Sequence, residues 1–318
     1  MKSQSKALFI LLALMLASTL AIAQQKGQYV TGQFGLDSGL LPEPGLTYTN
    51  MSLHYNSDTL RNANGSNTPI NGNLGFWINE NIVTYVAPFK IAGAKLALTA
   101  VLPAANGSAS LERFAAITGG NNIPTGYADT WVQPVTLGWQ ADRIAFNVGY
   151  AFMAPTGRYT PGATDNVGSG YWGNNLNSGT TVYLTKNKGT SLSLFTNWEG
   201  HGVKSGTNKT PGQAFTDEWG LGQMLPLAKD ESKLIQLGVI GYDQWEITDD
   251  KGTIGPGIPA GITPHYQVHA LGFQTNFIMP KKGFVAFFKF EPEYLAKARP
   301  EGQTIVFGAS YTFKFPGK

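Results

Sequence analysis

The sequence predicts an all-β protein: a transmembrane, antiparallel, up-and-down β-barrel of about 12 strands, within a range of about 10 to 14. Three observations predict it. Charged residues are 14% of the chain while Gly is 39 of 318 residues and aromatics are 12%. An ordinary soluble protein carries about 25% charged residues. Segment after segment alternates with a period of two, one face greasy and the other small, amide-bearing or charged, which is the signature of a strand. The links between these segments are alternately short and long, as a barrel with one tight rim and one looped rim requires.

The chain begins with a short positive head, Lys2 and Lys6, an apolar run from Ala7 to Leu16, and the triplet Ala21-Ile22-Ala23. This reads as a cleaved secretory signal over residues 1–23. Taking its two lysines from the 23 basic residues leaves 21 against 20 acidic ones. No basic excess is left for nucleic acid. With no Cys, disulfides, thiolate chemistry and lipidation at a terminal Cys are excluded. No later apolar run reaches the roughly 18 residues of a membrane helix. Residues 24–45 show little pattern and admit two placements, inside the lumen as a plug or in the periplasm. Residues 46–318 form the barrel.

Strands are expected near 46–56, 73–87, 93–103, 126–139, 143–153, 177–186, 190–200, 215–225, 234–246, 265–279, 283–292 and 303–315. In the last, Ile305, Phe307, Ala309, Tyr311, Phe313 and Phe315 share one face. Ile144, Phe146, Val148, Tyr150 and Phe152 do so in another, opposite Ala145, Asn147, Gly149 and Ala151. The short links, such as QADR, KNKG and PKKG, are about four to eight residues, in the tight-turn range. The others are about 16, 22, 23, 14, 18 and 10 residues, mostly beyond hairpin length. A sandwich gives no reason for that alternation; a barrel with both termini in the periplasm does.

Charge on the lipid face costs about 2–4 kcal/mol at mid-bilayer, so charged side chains are expected to turn inward. By parity the lumen then receives Glu80, Asn147, Glu199, Glu218, Lys289 and Glu291, together with Phe195 and Phe287. Sparse charges among aromatics favour small neutral or weakly apolar solutes over ions. The alternative is that the charges pair and brace a closed barrel; Lys289 and Glu291 are same-face neighbours suited to it.

The loop from Ala154 to Gly179 contains Gly168-x-Gly170-x-x-Gly173. A dinucleotide-binding turn must follow a strand directly and open a helix. This one is deep in a loop, so the glycines and asparagines serve turns. Arg158, Tyr159 and Trp172 are expected to pin that loop to the rim or fold it inward. Catalytic and metal motifs are absent: no Gly-x-Ser-x-Gly and no His-Glu-x-x-His. His265 and His269 on a strand stand about 13 Å apart, too far for one ion. Ser52 and His54 share a face near the outer end of the first strand, the one pair an enzyme reading can use. No cofactor or metal is expected.

Three stretches resemble a family of bacterial outer-membrane proteins associated with the meta-cleavage pathway of phenol degradation. They are LPEPGLTYTNMSLHYNSDTLRNANG, YADTWVQPVTLGWQADRIAFNVGYAFMAPTGRYTPG and GYWGNNLNSGTTVYLTKNKGTSLSLFTNWE. Val132-Gln133-Pro134 followed by Ala154 to Tyr159 is the most specific part. The family is distantly similar to outer-membrane fatty-acid and aromatic-hydrocarbon channels. The resemblance implies an outer-membrane location and passage of aromatic or other small apolar compounds. The final strand also resembles the aromatic C-terminal signal read by the barrel assembly machinery, although Pro316-Gly317-Lys318 follows Phe315. The partners implied are outer-membrane lipid, that machinery, and a small apolar or aromatic solute. The reading is a passive channel, with no nucleotide site and no coupling segment to an energised partner. A structural or adhesive barrel binding through its long loops is the second reading, and a lipid-modifying enzyme the third.

Overall fold

Backbone groups that cross hydrocarbon must find partners within the chain, so strands can span a bilayer only by closing on themselves. The computed structural model describes residues 27–68, 72–111, 121–163 and 165–314. The signal at 1–23 and Phe315 lie outside the described residues. Among the described residues there are fifteen strands. They are β1 (Gly45–Leu60), β2 (Gly72–Ile91), β3 (Ala94–Leu111), β4 (Asn121–Tyr127), β5 (Thr130–Gln140), β6 (Ile144–Ala154), β7 (Gly173–Tyr183), β8 (Thr190–His201), β9 (Ala214–Pro226), β10 (Leu234–Glu246), β11 (Thr253–Gly255), β12 (Ile258–Pro259), β13 (Gln267–Met279), β14 (Phe284–Lys297) and β15 (Pro300–Lys314).

Consecutive strands pair antiparallel, and β1 closes on β15 from Gly45 opposite Lys314 to Leu60 opposite Pro300. The small β11–β12 hairpin lies in a loop outside this wall. Both β4 and β5 pair with β3, at Ala104–Ala109 and Lys95–Val101, and together they form one stave, so the wall has twelve staves. The single strand expected over 126–139 is therefore two pieces. Ala128 and Asp129 form the step between them, where the Ala128 N–H donates to the Pro103 carbonyl at 2.9 Å. A second slip falls between Val132 and Val135, around Pro134, which has no N–H for the ladder.

The period of two holds around the wall. Leu192, Leu194, Leu221, Val239, Leu271 and Phe273 are exposed on the outer face, while Ser191, Ser193, Gln236, Gln274 and Asn276 are buried in the lumen. Two features depart from a purely apolar lipid face. Asn50, Asn79, Asn81 and Ser52 bond to one another across β1 and β2 at 2.9–3.3 Å. Asp217, Asp243 and His269 share one outward rung of β9, β10 and β13, so not every charge turns inward. Asp243 bonds to His269 and accepts the Trp219 indole N–H at 3.2 Å. The rung is close to the outer ends of these strands, where a lipid-facing charge costs only about 0–1 kcal/mol.

The tight links gather at the rim that also holds Gly45 and Lys314. At Ala92–Gly93 the φ values are 47° and 80°. Positive φ at both central residues is the type I′ geometry that matches strand twist. Among the described residues, the long links over 155–172, 202–213 and 247–266 gather at the other rim. The last long link expected, of about 10 residues, is not formed: β14 runs on to Lys297 and β15 starts at Pro300, leaving only Ala298 and Arg299. The sequence reading ended this strand at Pro292. A register shift opposite His269 and Ala270 absorbs the disruption and the ladder resumes. Pro300 stands first in its strand, where no N–H is needed.

Candidate functional site

A twelve-stave barrel is wide enough to need filling, and residues 27–44 supply the filling from inside. This segment has no hydrophobic period because its partners are polar groups of the wall. Near its start the Gly27 N–H donates to the Tyr266 hydroxyl at 2.7 Å, and the Tyr29 N–H donates to Glu199 Oε2 at 2.9 Å. Glu199 Oε1 lies 3.2 Å from His201 Nε2. Glu218, fully buried, is the main acceptor. Its Oε1 takes the Tyr29 hydroxyl at 2.7 Å and the Gly32 N–H at 2.9 Å, and its Oε2 takes the Phe34 N–H at 2.6 Å.

The opposite polarity comes from Lys289. Its ammonium donates to the carbonyls of Gly32 at 3.0 Å, of Gln33 at 2.8 Å, and of Phe34. One turn of the segment is thus held by its N–H groups on Glu218 and by its C=O groups on Lys289. The ion pair with Glu291 that spacing allowed is not how Lys289 is used. Glu291 is 1% exposed beside Gly32, with neither oxygen hydrogen-bonded.

Further along, Leu36 seats where Gly220, Gly222 and Gly238 open a pit: a Cβ on any of the three would stand 2.7–2.9 Å from a Leu36 methyl. Asp37 accepts from Gln236 at 2.8 Å and its N–H donates to Ser193 at 2.9 Å. The Ser38 carbonyl accepts from Asn147 at 2.8 Å, and the Gly39 N–H donates to Thr181 at 3.0 Å. Phe195 stacks on Phe34 with centroids 3.9 Å apart.

The segment does not fill the lumen. A cavity of about 920 Å³ runs beside it. One side is the apolar wall of β1–β3: Met51, Leu53, Phe76, Ile78, Ile82 and Val101, continued by Phe287 of β14. The other side is the segment itself, with Tyr29, Val30 and Phe34. The lining extends from outer-loop residues Tyr159, Lys204 and Ile254 to Leu41 and Pro42 at the periplasmic rim. Burial, and then the neighbouring Lys209, lower the Lys204 ammonium below its ordinary range. Lys209 itself pairs with Asp250 at 2.8 Å.

The eight residues placed inward by parity serve the segment, the cavity or both. Asn147, Phe195, Glu199, Glu218 and Lys289 contact the segment directly, Glu291 lies under it, and Glu80 meets its Gln33 side chain at 3.4 Å. Asn147, Phe195, Glu80 and Phe287 line the cavity. The loop residues stand apart. Arg158 bonds Asp165 at 2.5 Å and the Pro124 carbonyl at 3.1 Å, tying its loop to β4. Tyr159 reaches the Ser205 carbonyl at 3.3 Å and the cavity's outer mouth. Trp172 lies outside over Phe152, with centroids 6.0 Å apart, while its neighbour Tyr171 turns inward. His54 stacks on Trp77 at 4.3 Å and Ser52 is taken by Asn79, so these two form no pair. His265 and His269 go to different aspartates, Asp249 and Asp243.

Sequence reasoning missed three things. Glu293 accepts from Tyr55 at 2.9 Å, from Tyr242 and Arg299 at 3.0 Å, and from the Gly302 N–H at 2.6 Å, bracing the outer lumen. Carrying the parity of Glu291 past Pro292 would have found Glu293. Asp129, at the β4–β5 step, takes the Gly157 N–H at 3.0 Å and the Ser169 N–H at 2.8 Å. No spacing announces it. Nor did any period announce Tyr29 or Phe34.

Among solved structures, the chain is similar to a COG4313 outer membrane channel from Pseudomonas putida F1, with a TM-score of 0.70 at 13% identity over 88% of this chain and 99% of that one. It is similar also to the β domain of the Bordetella autotransporter BrkA, with a TM-score of 0.52 at 11% identity over 85% and 100%. A FadL homologue of Pseudomonas aeruginosa aligns at a TM-score of 0.36, with 10% identity over 92% and 98%, too loosely to argue from. No curated protein sequence matches. The fold is that of an outer-membrane barrel. The family model described as putative MetA-pathway of phenol degradation matches residues 57–308, and the chain belongs to that family.

Proposed function

We propose that this barrel is a passive channel for small apolar or aromatic compounds, with the N-terminal segment as its plug and the apolar wall of β1–β3 as the track. The observation that carries the reading is the cavity beside the segment, apolar along one side and lined from outer loops to periplasmic rim. Pockets of about 300–1,000 Å³ lined mainly by apolar side chains are typical of small-molecule sites. The family description and the likeness to a protein described as an outer membrane channel support the same broad role. Outward Ile305, Phe307, Tyr311 and Phe313 on β15 support insertion by the barrel assembly machinery. The test is uptake of labelled toluene against a sugar of similar size by cells whose own outer-membrane channels are deleted. Expression of this barrel should speed toluene uptake and leave the sugar slow. Equal acceleration of both overturns the apolar preference.

A further inference from the structure

Glu80 is an anomaly within the cavity. It is 5% exposed on the lumenal face of β2, opposite Met51 on β1 and Pro103 on β3, with Ile78 and Ile82 as its same-face neighbours. Its Oε2 has no hydrogen-bond partner, and its Oε1 meets only the Gln33 amide at 3.4 Å. Among the described residues, three acids line this cavity: Glu80, Asp129 and Asp250. The other two accept backbone N–H groups at 2.7–3.0 Å. Its neighbours in the wall, Met51, Ile78, Ile82 and Pro103, carry no donor. A buried carboxyl left unpaired is costly. Every other requirement of the wall at this place is met by an apolar residue, so the fold alone gives no reason for the acid.

We infer that Glu80 is the recognition point for a solute whose apolar aromatic body carries one hydrogen-bond-donating group, an aromatic hydroxyl or an alkylammonium. The ring would lie along Met51, Leu53 and Phe287, and the donor would complete Oε2. With Glu80 ionised, a solute bearing a carboxylate meets like charge at a carboxyl that forms no salt bridge, and is turned away. This inference rests on the channel reading above and adds the polar half of the substrate to it.

The experiment uses the full-length barrel in nanodiscs and follows the part of the tryptophan fluorescence that is lost in Trp131→Phe, since Trp131 lines the same cavity. The probes are p-cresol, its isomer anisole, which has no donor, benzylamine and benzoate. A hydrogen bond to a charged group corresponds to roughly ten- to a hundredfold in affinity, so p-cresol or benzylamine should bind at least about tenfold tighter than anisole, and benzoate weakest. Whichever of the two donors binds tighter identifies the class, hydroxyl or ammonium. In Glu80→Leu the preference of the two donors over anisole should vanish. In the isosteric Glu80→Gln, which keeps an acceptor oxygen, p-cresol should lose only a few-fold and benzylamine most of its affinity. Equal binding of donors and anisole in the wild type, or a preference that survives Glu80→Leu, overturns the role of Glu80 and leaves the channel reading standing. Absence of binding by all four probes overturns the channel reading itself.

Discussion

Two lumenal charges, Lys289 and Glu80, show opposite bookkeeping at the residue scale. Lys289 is 2% exposed and its donors are met by carbonyls of the segment. Glu80 is nearly as buried and has one oxygen unmet. Replacing a partner in a buried charged contact costs about 3–5 kcal/mol. Lys289→Met should therefore lower the heat-modifiability midpoint of the purified barrel and expose residues 27–42 to protease in detergent. Unchanged protease resistance would show that Lys289 does not hold the segment. Glu80→Leu should act the other way, since it removes an unpaired buried polar group worth about 1–3 kcal/mol. Its midpoint should rise, and a fall would mean that the carboxyl has a partner. That both side chains point inward was legible from parity alone. Their difference was not, because the partner of Lys289 is a stretch with no period of its own.

The element that decides the site is the N-terminal segment. Its fit is recorded in wall glycines rather than in its own sequence. A Cβ on Gly179 of β7 would stand 2.0 Å from the Ser38 carbonyl oxygen. Gly179→Val should push the segment off the wall while β7 stays paired, and single-channel current should rise; an unchanged current would mean that the segment does not obstruct flow. The loop between β6 and β7 is tied down by Asp129 through Gly157 and Ser169. Asp129→Ala should make residues 155–172 readily cleaved, while circular dichroism keeps the strand signal. Continued protection would place the anchor elsewhere, at Arg158. The sequence reads the three glycines as turn residues rather than a nucleotide loop, and the structure has strand β7 starting at Gly173, where such a loop would open a helix. Sequence reasoning could not find Asp129, because an aspartate between two strand pieces looks like any turn residue.

For the whole molecule, the dominant physics is solvent inversion: hydrocarbon covers the apolar faces and the polar ones are folded around a chain segment. That inversion is what made the barrel legible, for it forces the same alternation on stave after stave, from Ile144–Phe152 to Ile305–Phe313. Link lengths were legible where Gly, Asn and Lys marked turns, and failed at Ala298–Arg299, where Pro292 suggested an end and the ladder instead slipped and continued. The outward Asp217–Asp243–His269 rung was missed because depth along a stave, not only its face, sets the cost of a charge. The most direct measurement of the central claim is single-channel conductance in planar bilayers, comparing the mature barrel with one lacking Gln24–Leu41. The account predicts a small, restricted current for the first and a several-fold larger one for the second; equal currents through both would contradict it.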